Sequence, residues 1–466
     1  MKRLFAFALS VSVLSASAAT VDRLVARQMW PWERHFEIGY RLKTAGGEAV
    51  DVSLRVSAGG ESFDIPAEKL IGETKSLTSG DYKLVWDSSL CESPTADWLK
   101  SHTGELAFSV VMEDSADVPE YLIIDLSGGA EAASWPSERV VGKPLTGWTD
   151  EHKTTKLVLR RIYAGGRGNT FSSATGVSFM FGCPAGDAYK TSGYDFDAAE
   201  ATLTNDYYIG VFELTQKQYQ LITGQTVAQG QNAFGNSPMR PQANIGYYAH
   251  MRGTEAGLLW PVSSDVDGTS LMGILRSKVV LPPEIPSAWK FDLPTEAQWE
   301  FACRAGTTTP WNNGGNYDVY VFGQDKSGND LESDHNLDLI GWNPANAPTS
   351  GSDVGRLPAN AWGLYDMHGN AAEYCLDYNY AGTLGEKYRK GFEPMGYTTT
   401  DSAKFAASTA RVVKGGGYSS YWTTKTNFKY FRGHRACSHV QTYSGDAASY
   451  TGCRIVLRNS AVNAGH

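Results

Sequence analysis

Every second residue is apolar along two neighbouring stretches near the start of the chain: Phe36, Ile38, Tyr40 and Leu42, then Val50, Val52, Leu54 and Val56. Successive side chains of a strand point to opposite faces, so this period fits half-buried β-strands and not an amphipathic helix. Thr44 to Gly47 between them reads as a hairpin turn, and Leu106, Phe108, Val110 and Met112 repeat the alternation. Short strands at this spacing predict that residues 20–130 form an immunoglobulin-like or fibronectin-like β-sandwich, a spacer or docking module with nothing catalytic in it.

A chain of 466 residues exceeds one ordinary core, so further domains are expected. Its 49 glycines and 12% aromatic residues favour turns and sheets over long helices. The formal charge of −9 comes without a long basic block, which argues against nucleic acid or an anionic membrane as partner. Residues 1–19 have the form of a secretory signal peptide: Lys2 and Arg3, an apolar run from Leu4 to Leu14, then Ala16-Ser17-Ala18. No segment is long enough for an integral membrane helix, so a secreted or periplasmic protein is expected. The six cysteines lack zinc-site spacing and read as structural disulfides or buried thiols, with the pairing left open.

Gly128-Gly129, Pro136 and Pro144 mark 131–169 as a linker, with one apolar strand at Leu157–Leu159. A second domain follows over 170–458, and 459–466 is a tail. Thr215 and Gln218 have capping-box spacing, which starts a helix at Gln216; Thr295 and Gln298 start another. In the second helix Glu300 and Arg304 form an i,i+4 pair, and Gly306 takes the left-handed position at its end. Two capped helices among short strands make this domain α+β.

Three motifs follow in order: Leu-Pro-Thr-Glu-Ala-Gln-Trp-Glu-Phe-Ala (293–302), Trp-Gly-Leu-Tyr-Asp-Met-His-Gly-Asn-Ala-Ala-Glu (362–373) and Val-Val-Lys-Gly-Gly-Gly-Tyr (412–418). Together they resemble the formylglycine-generating enzymes, or sulfatase-modifying factors, and the resemblance implies a C-type-lectin-related fold. That family oxidises a cysteine of client sulfatases with a copper-holding cysteine pair, and the resemblance puts those positions at Ser420 and Lys425. A protonated hydroxyl and a cation do not replace soft thiolates, so copper is not expected. Cys437 is the nearest remaining thiol in sequence. A related iron-dependent branch carries a His-x-x-x-His-x-Glu set that this chain lacks.

The resemblance also implies a structural calcium held by Asp366, Gly369, Ala371 and Glu373, hard oxygen ligands of the kind calcium takes. The alternative at the same residues is an Asp366 turn cap and a Glu373–arginine pair. A second family calcium site near Asn336 is left open, with 330–338 read as a solvated loop. Tyr418, Tyr421, Trp422, Phe428, Tyr430, Phe431, Tyr443 and Tyr450 alternate with small polar residues, the composition of a recognition face or of a core under a glycine-rich sheet. Arg432, His434 and Arg435 would line the adjoining cleft; His434 and His439 read as surface residues, and structural ion pairing is the other role for the arginines. The leading function is a non-redox recognition or scaffold module at the cell envelope that binds a peptide, protein or glycan. The competing one is a divergent formylglycine-generating or other protein-modifying oxidase using Ser420, His434 and Cys437.

Overall fold

A computed structural model describes residues 19–29, 34–46, 48–102, 104–166, 169–190, 195–226, 234–253, 260, 263–324, 328–348, 350–378, 411–418, 434–438 and 450–460, and the backbone alone at 391–392 and 440–442. All but the last residue of the expected signal peptide lies outside them. Among the described residues, no helix is long and apolar enough to cross a membrane.

The alternating residues become the N-terminal core. Ile38, Val50, Leu54, Val56, Phe108 and Val110 are fully buried and belong to one cluster with Trp86. That cluster joins a four-stranded antiparallel sheet, Thr20–Gln28, His35–Lys43, Gly80–Asp87 and Leu70–Ile71, to a three-stranded one, Glu61–Ile65, Val50–Ala58 and Ala107–Asp114. The turn at Thr44 is not a hairpin. His35–Lys43 pairs with Thr20–Gln28 and Gly80–Asp87, whereas Val50–Ala58 lies in the other sheet, so the link carries the chain across the core. Both arrangements bury the same alternate residues, and the sequence pattern alone does not separate them.

The stretch 131–169 is not a linker. Glu120–Asp125, Trp135–Val141 and Lys156–Ile162 are strands of a seven-stranded sheet completed by Val279–Val280, Tyr207–Gly210, Val456–Asn459 and Trp289–Asp292. The strand Lys156–Ile162 pairs with Tyr207–Gly210, which pairs with Val456–Asn459. Glycine and proline turns obscure strands whose Leu122, Ile124 and Trp135 are fully buried, while the strand read at Leu157–Leu159 forms as part of Lys156–Ile162. The N-terminal unit also packs on this body, since Ile71 and Val85 share a cluster with Trp311, Leu337 and Ile340.

Both capping boxes form, over helices Gln216–Thr223 and Glu296–Arg304. In the second, the Thr295 hydroxyl accepts from the Gln298 amide at 3.1 Å and Gln298 Oε1 accepts from the Thr295 amide at 3.1 Å. Arg304 pairs with Glu300 at 2.8 Å. The left-handed cap is Ala305, at φ 46°, one residue before the expected Gly306. Every residue of this helix is buried, so it lies at the centre of the domain. Thr295→Ala is expected to lower stability by about 1 kcal/mol in urea unfolding; an unchanged midpoint would show that the cap contributes nothing.

Candidate functional site

Four buried charges meet where the second motif crosses the centre of the domain. Glu213 follows the strand Tyr207–Gly210, Asp366 and Glu373 come from the motif, and Arg454 precedes the strand Val456–Asn459; their exposures are 1, 3, 1 and 0%. Three carboxylates face one guanidinium, a net charge of −2 when all are ionised. Lys153, half-buried, adds a more distant positive field at Asp366.

Arg454 is spent mainly on Glu373. Its Nη2 donates to Glu373 Oε1 at 2.8 Å and its Nε to Oε2 at 3.1 Å, while Trp299 Nε1 donates to Oε2 at 2.7 Å. The remaining donors reach the carbonyls of Gly210 and Tyr365, both at 2.8 Å. Glu213 accepts from Asn370 Nδ2 and the Ala371 amide, both at 2.7 Å. Burial, with repulsion from Asp366 and Glu373, holds its carboxyl well above the usual range. Asp366 Oδ2 accepts from the Gly355 amide at 2.6 Å. Its Oδ1 is buried with no hydrogen-bond partner, and burial pushes its carboxyl up to about 6. The backbone here leaves little freedom: Asp366 and Asn370 have φ of 56° and 61°, and a Cβ on Gly369 would lie 2.0 Å from the Trp342 carbonyl oxygen.

Of the expected calcium residues, Asp366 and Glu373 bring their carboxylates into one buried cluster. Glu373 is paired with an arginine, as the alternative had it, yet Asp366 keeps an unmet buried acceptor. Glu213 and Arg454 were missed. Their signal was a lone charge inside an apolar run, Val-Phe-Glu-Leu and Cys-Arg-Ile-Val-Leu.

The C-terminal residues divide differently. Ser420, Tyr421, Trp422, Lys425, Phe428, Tyr430, Phe431, Arg432, His439 and Tyr443 lie outside the described residues. Tyr418 is 6% exposed and packs edge-on against Phe234 and Tyr450, with centroids at 4.8 and 5.7 Å. His434 and Arg435 are fully buried, which corrects their placement on the surface and along a cleft. Arg435 pairs with Asp187 at 3.0 Å and Asp195 at 2.6 Å. A guanidinium with two carboxylate partners leaves solvent at no cost in unpaired charge. Beside it Cys183 and Cys437 form a disulfide, and Ser438 Oγ donates to Asp195 at 2.9 Å.

Asn336 anchors a turn, donating through Nδ2 to the Asn316 carbonyl at 2.9 Å. The acidic run around it is not a solvated loop: Asp334 is fully buried and caps the short helix His335–Asp338.

One further pair has the look of a thiol nucleophile and its base. Cys303 Sγ lies 3.6 Å from His368 Nε2, and both residues are fully buried. The Asn312 amide donates to that Nε2 at 3.2 Å, so the ring proton sits on Nδ1, which donates to the His434 carbonyl at 2.6 Å. Burial lowers the imidazole to about 4 and raises the thiol. A neutral imidazole whose acceptor is already used cannot take the thiol proton, and the pair is structural.

Residues 172–459 match the model of the sulfatase-modifying factor enzyme 1-like domain. The chain is similar to the chaperone protein LppX of Paenibacillus barcinonensis, 27% identical over 209 residues that cover 42% of this chain and 70% of that protein. It is 38% identical over 91 residues to the formylglycine-generating enzyme of Mycobacterium tuberculosis, covering 18% of this chain and 25% of that enzyme's length. Two solved structures each cover 65% of this chain: Treponema denticola variable protein 1, at 19% identity and TM-score 0.41 over 95% of its own length, and PvdO from Pseudomonas aeruginosa, at 16% and 0.42 over 94%.

Proposed function

Because this chain belongs to the sulfatase-modifying factor enzyme 1-like domain family, we propose that it is a non-redox recognition or scaffold module of the cell envelope, secreted or periplasmic. Its partner is a peptide, protein or glycan, met by the aromatic stretch that follows the buried Tyr418 and includes Tyr421 and Trp422. The finer architecture belongs to the same reading: an immunoglobulin-like sandwich followed by a C-type-lectin-related domain.

The observation that carries the non-redox part is the state of the thiols. Copper chemistry on a client cysteine needs an accessible thiolate pair. The resemblance puts the family's cysteine positions at Ser420 and Lys425, and Cys437 is tied to Cys183. The four free thiols are Cys91, Cys303, Cys375 and Cys453, the last three buried. Burial pushes all four above the ordinary thiol range.

Calcium is the proposed structural ion. The excess of carboxylates over the one guanidinium and the unmet Asp366 Oδ1 favour a hard divalent cation, which Asp366 and the carbonyls of Gly369 and Ala371 would hold, with Glu373 shared between it and Arg454. When bound, the ion would neutralise the cluster and fix the motif loop.

Metal content by mass spectrometry on the full chain tests both parts, before and after exposure to Cu(I) with a competing thiol, and again with chelator. About one equivalent of calcium and no retained copper is expected. Stoichiometric copper that survives the thiol would overturn the non-redox reading, and its loss in Cys183→Ser would trace it to the reduced Cys183–Cys437 pair.

A further inference from the structure

The loop from residue 360 to 366 joins the N-terminal unit to the carboxylate cluster. Asn360 anchors its start, with Nδ2 donating to the Ala302 carbonyl at 2.8 Å and Oδ1 accepting from the amides of Trp362 and Leu364 at 3.0 and 3.1 Å. The N-terminal unit grips the middle. The amides of Thr74 and Lys75 both donate to the Ala361 carbonyl, at 3.3 and 3.1 Å. Gly363, at φ 74°, passes so close that an added Cβ would lie 3.2 Å from Glu73 Oε2 and 3.1 Å from Arg160 Nη1.

Glu73 is 8% exposed and ion-paired with Lys143, and its Oε1 accepts from the Tyr365 hydroxyl at 3.4 Å. The other end of Tyr365 faces the cluster. Its carbonyl accepts from Arg454 Nη2, the same nitrogen that donates to Glu373, and its amide donates to the Val211 carbonyl at 3.0 Å. The ring stacks on Phe212 at 5.0 Å.

We propose that Glu73 is a positioning residue for the carboxylate cluster: through the Tyr365 hydroxyl it sets the 360–366 loop so that the Tyr365 carbonyl meets Arg454 and Asp366 takes its left-handed backbone. A non-glycine residue holds such a conformation only when its surroundings over-determine it. Here the over-determination comes from two sides, Asn360, which bonds to the central helix, and Glu73, which belongs to the N-terminal unit. The N-terminal unit is thereby part of the site, not a spacer beside it. Only calcium's part in the test rests on reading the cluster as a cation site.

Hydrogen exchange of the full chain, in chelator and again at saturating calcium, decides the matter for wild type, Tyr365→Phe, Glu73→Ala and Glu73→Gln. In chelator, Tyr365→Phe and Glu73→Ala are expected to speed exchange over 361–366 about tenfold, with the strands Val50–Ala58 and Ala107–Asp114 unchanged. Glu73→Gln keeps an acceptor for the tyrosine hydroxyl and is expected to restore most of the protection, a rescue that loss of general stability would not give. Should Glu73→Ala fail to fold, Tyr365→Phe still decides. Wild-type exchange in Tyr365→Phe overturns the positioning role, whatever calcium does. A wild type whose 366–373 amides ignore calcium overturns the cation reading instead, with the chelator arm standing by itself.

Discussion

Replacing Arg454 with methionine is expected to destabilise the chain by about 4 kcal/mol, read as a drop in the urea midpoint. Methionine fills much of the same volume, so the loss is one of charge. Glu373 would keep only the Trp299 N–H, and three buried carboxylates would have no guanidinium among them. A buried ion pair contributes little over an apolar substitute, whereas one partner left alone is costly. Adding Glu373→Gln to Arg454→Met should therefore recover more than half of the loss, because a neutral amide beside Trp299 needs no countercharge. A loss under about 1 kcal/mol for the single variant, too small for an orphaned buried charge, would show that the cluster is not charged as drawn.

Losing the Cys183–Cys437 disulfide is expected to cost still more. The cysteines are 254 residues apart, and cross-linking over such a span removes about 5 kcal/mol of chain entropy from the unfolded state. Cys183→Ser/Cys437→Ser should therefore melt well below wild type, and a dithiol reductant should bring wild type down to the variant. The segment 434–438 should stay docked in the folded molecule, since Arg435 keeps Asp187 and Asp195. Equal melting curves with and without reductant would sink the prediction.

Local rules carried the sequence reading as far as they reach. Period-two alternation found the N-terminal core, and two capping boxes found two of the helix starts, because each signal is complete within a few neighbouring residues; the helix Leu271–Lys278 was not found. Sheet membership is not local. Thr44 crosses between sheets, and 131–169 supplies central strands, through pairings with residues as distant as Tyr207–Gly210 that leave no mark on the segment itself. The motif named Asp366 and Glu373 but not Glu213 or Arg454, whose partners arrive from 81 to 244 positions away. His434 and Arg435 looked polar and hence exposed. The His368 ring that donates to the His434 carbonyl, and the Asp187 and Asp195 carboxylates that pair with Arg435, are visible only once the chain is folded.

The sheet order also sets a timetable. Among the described residues Val456–Asn459 follows every other strand, yet it lies between Tyr207–Gly210 and Trp289–Asp292 rather than at an edge. Synthesis delivers the N-terminal unit first, and its two sheets close on their own strands. The large sheet must wait with a gap of one strand until Val456–Asn459 is available. For that interval Trp289–Asp292 has no edge to join, and Arg454 has not yet reached Glu213, Asp366 and Glu373. Until Val456–Asn459 docks, each copy is half assembled, with an open slot of four residues' length that any other extended chain could enter first.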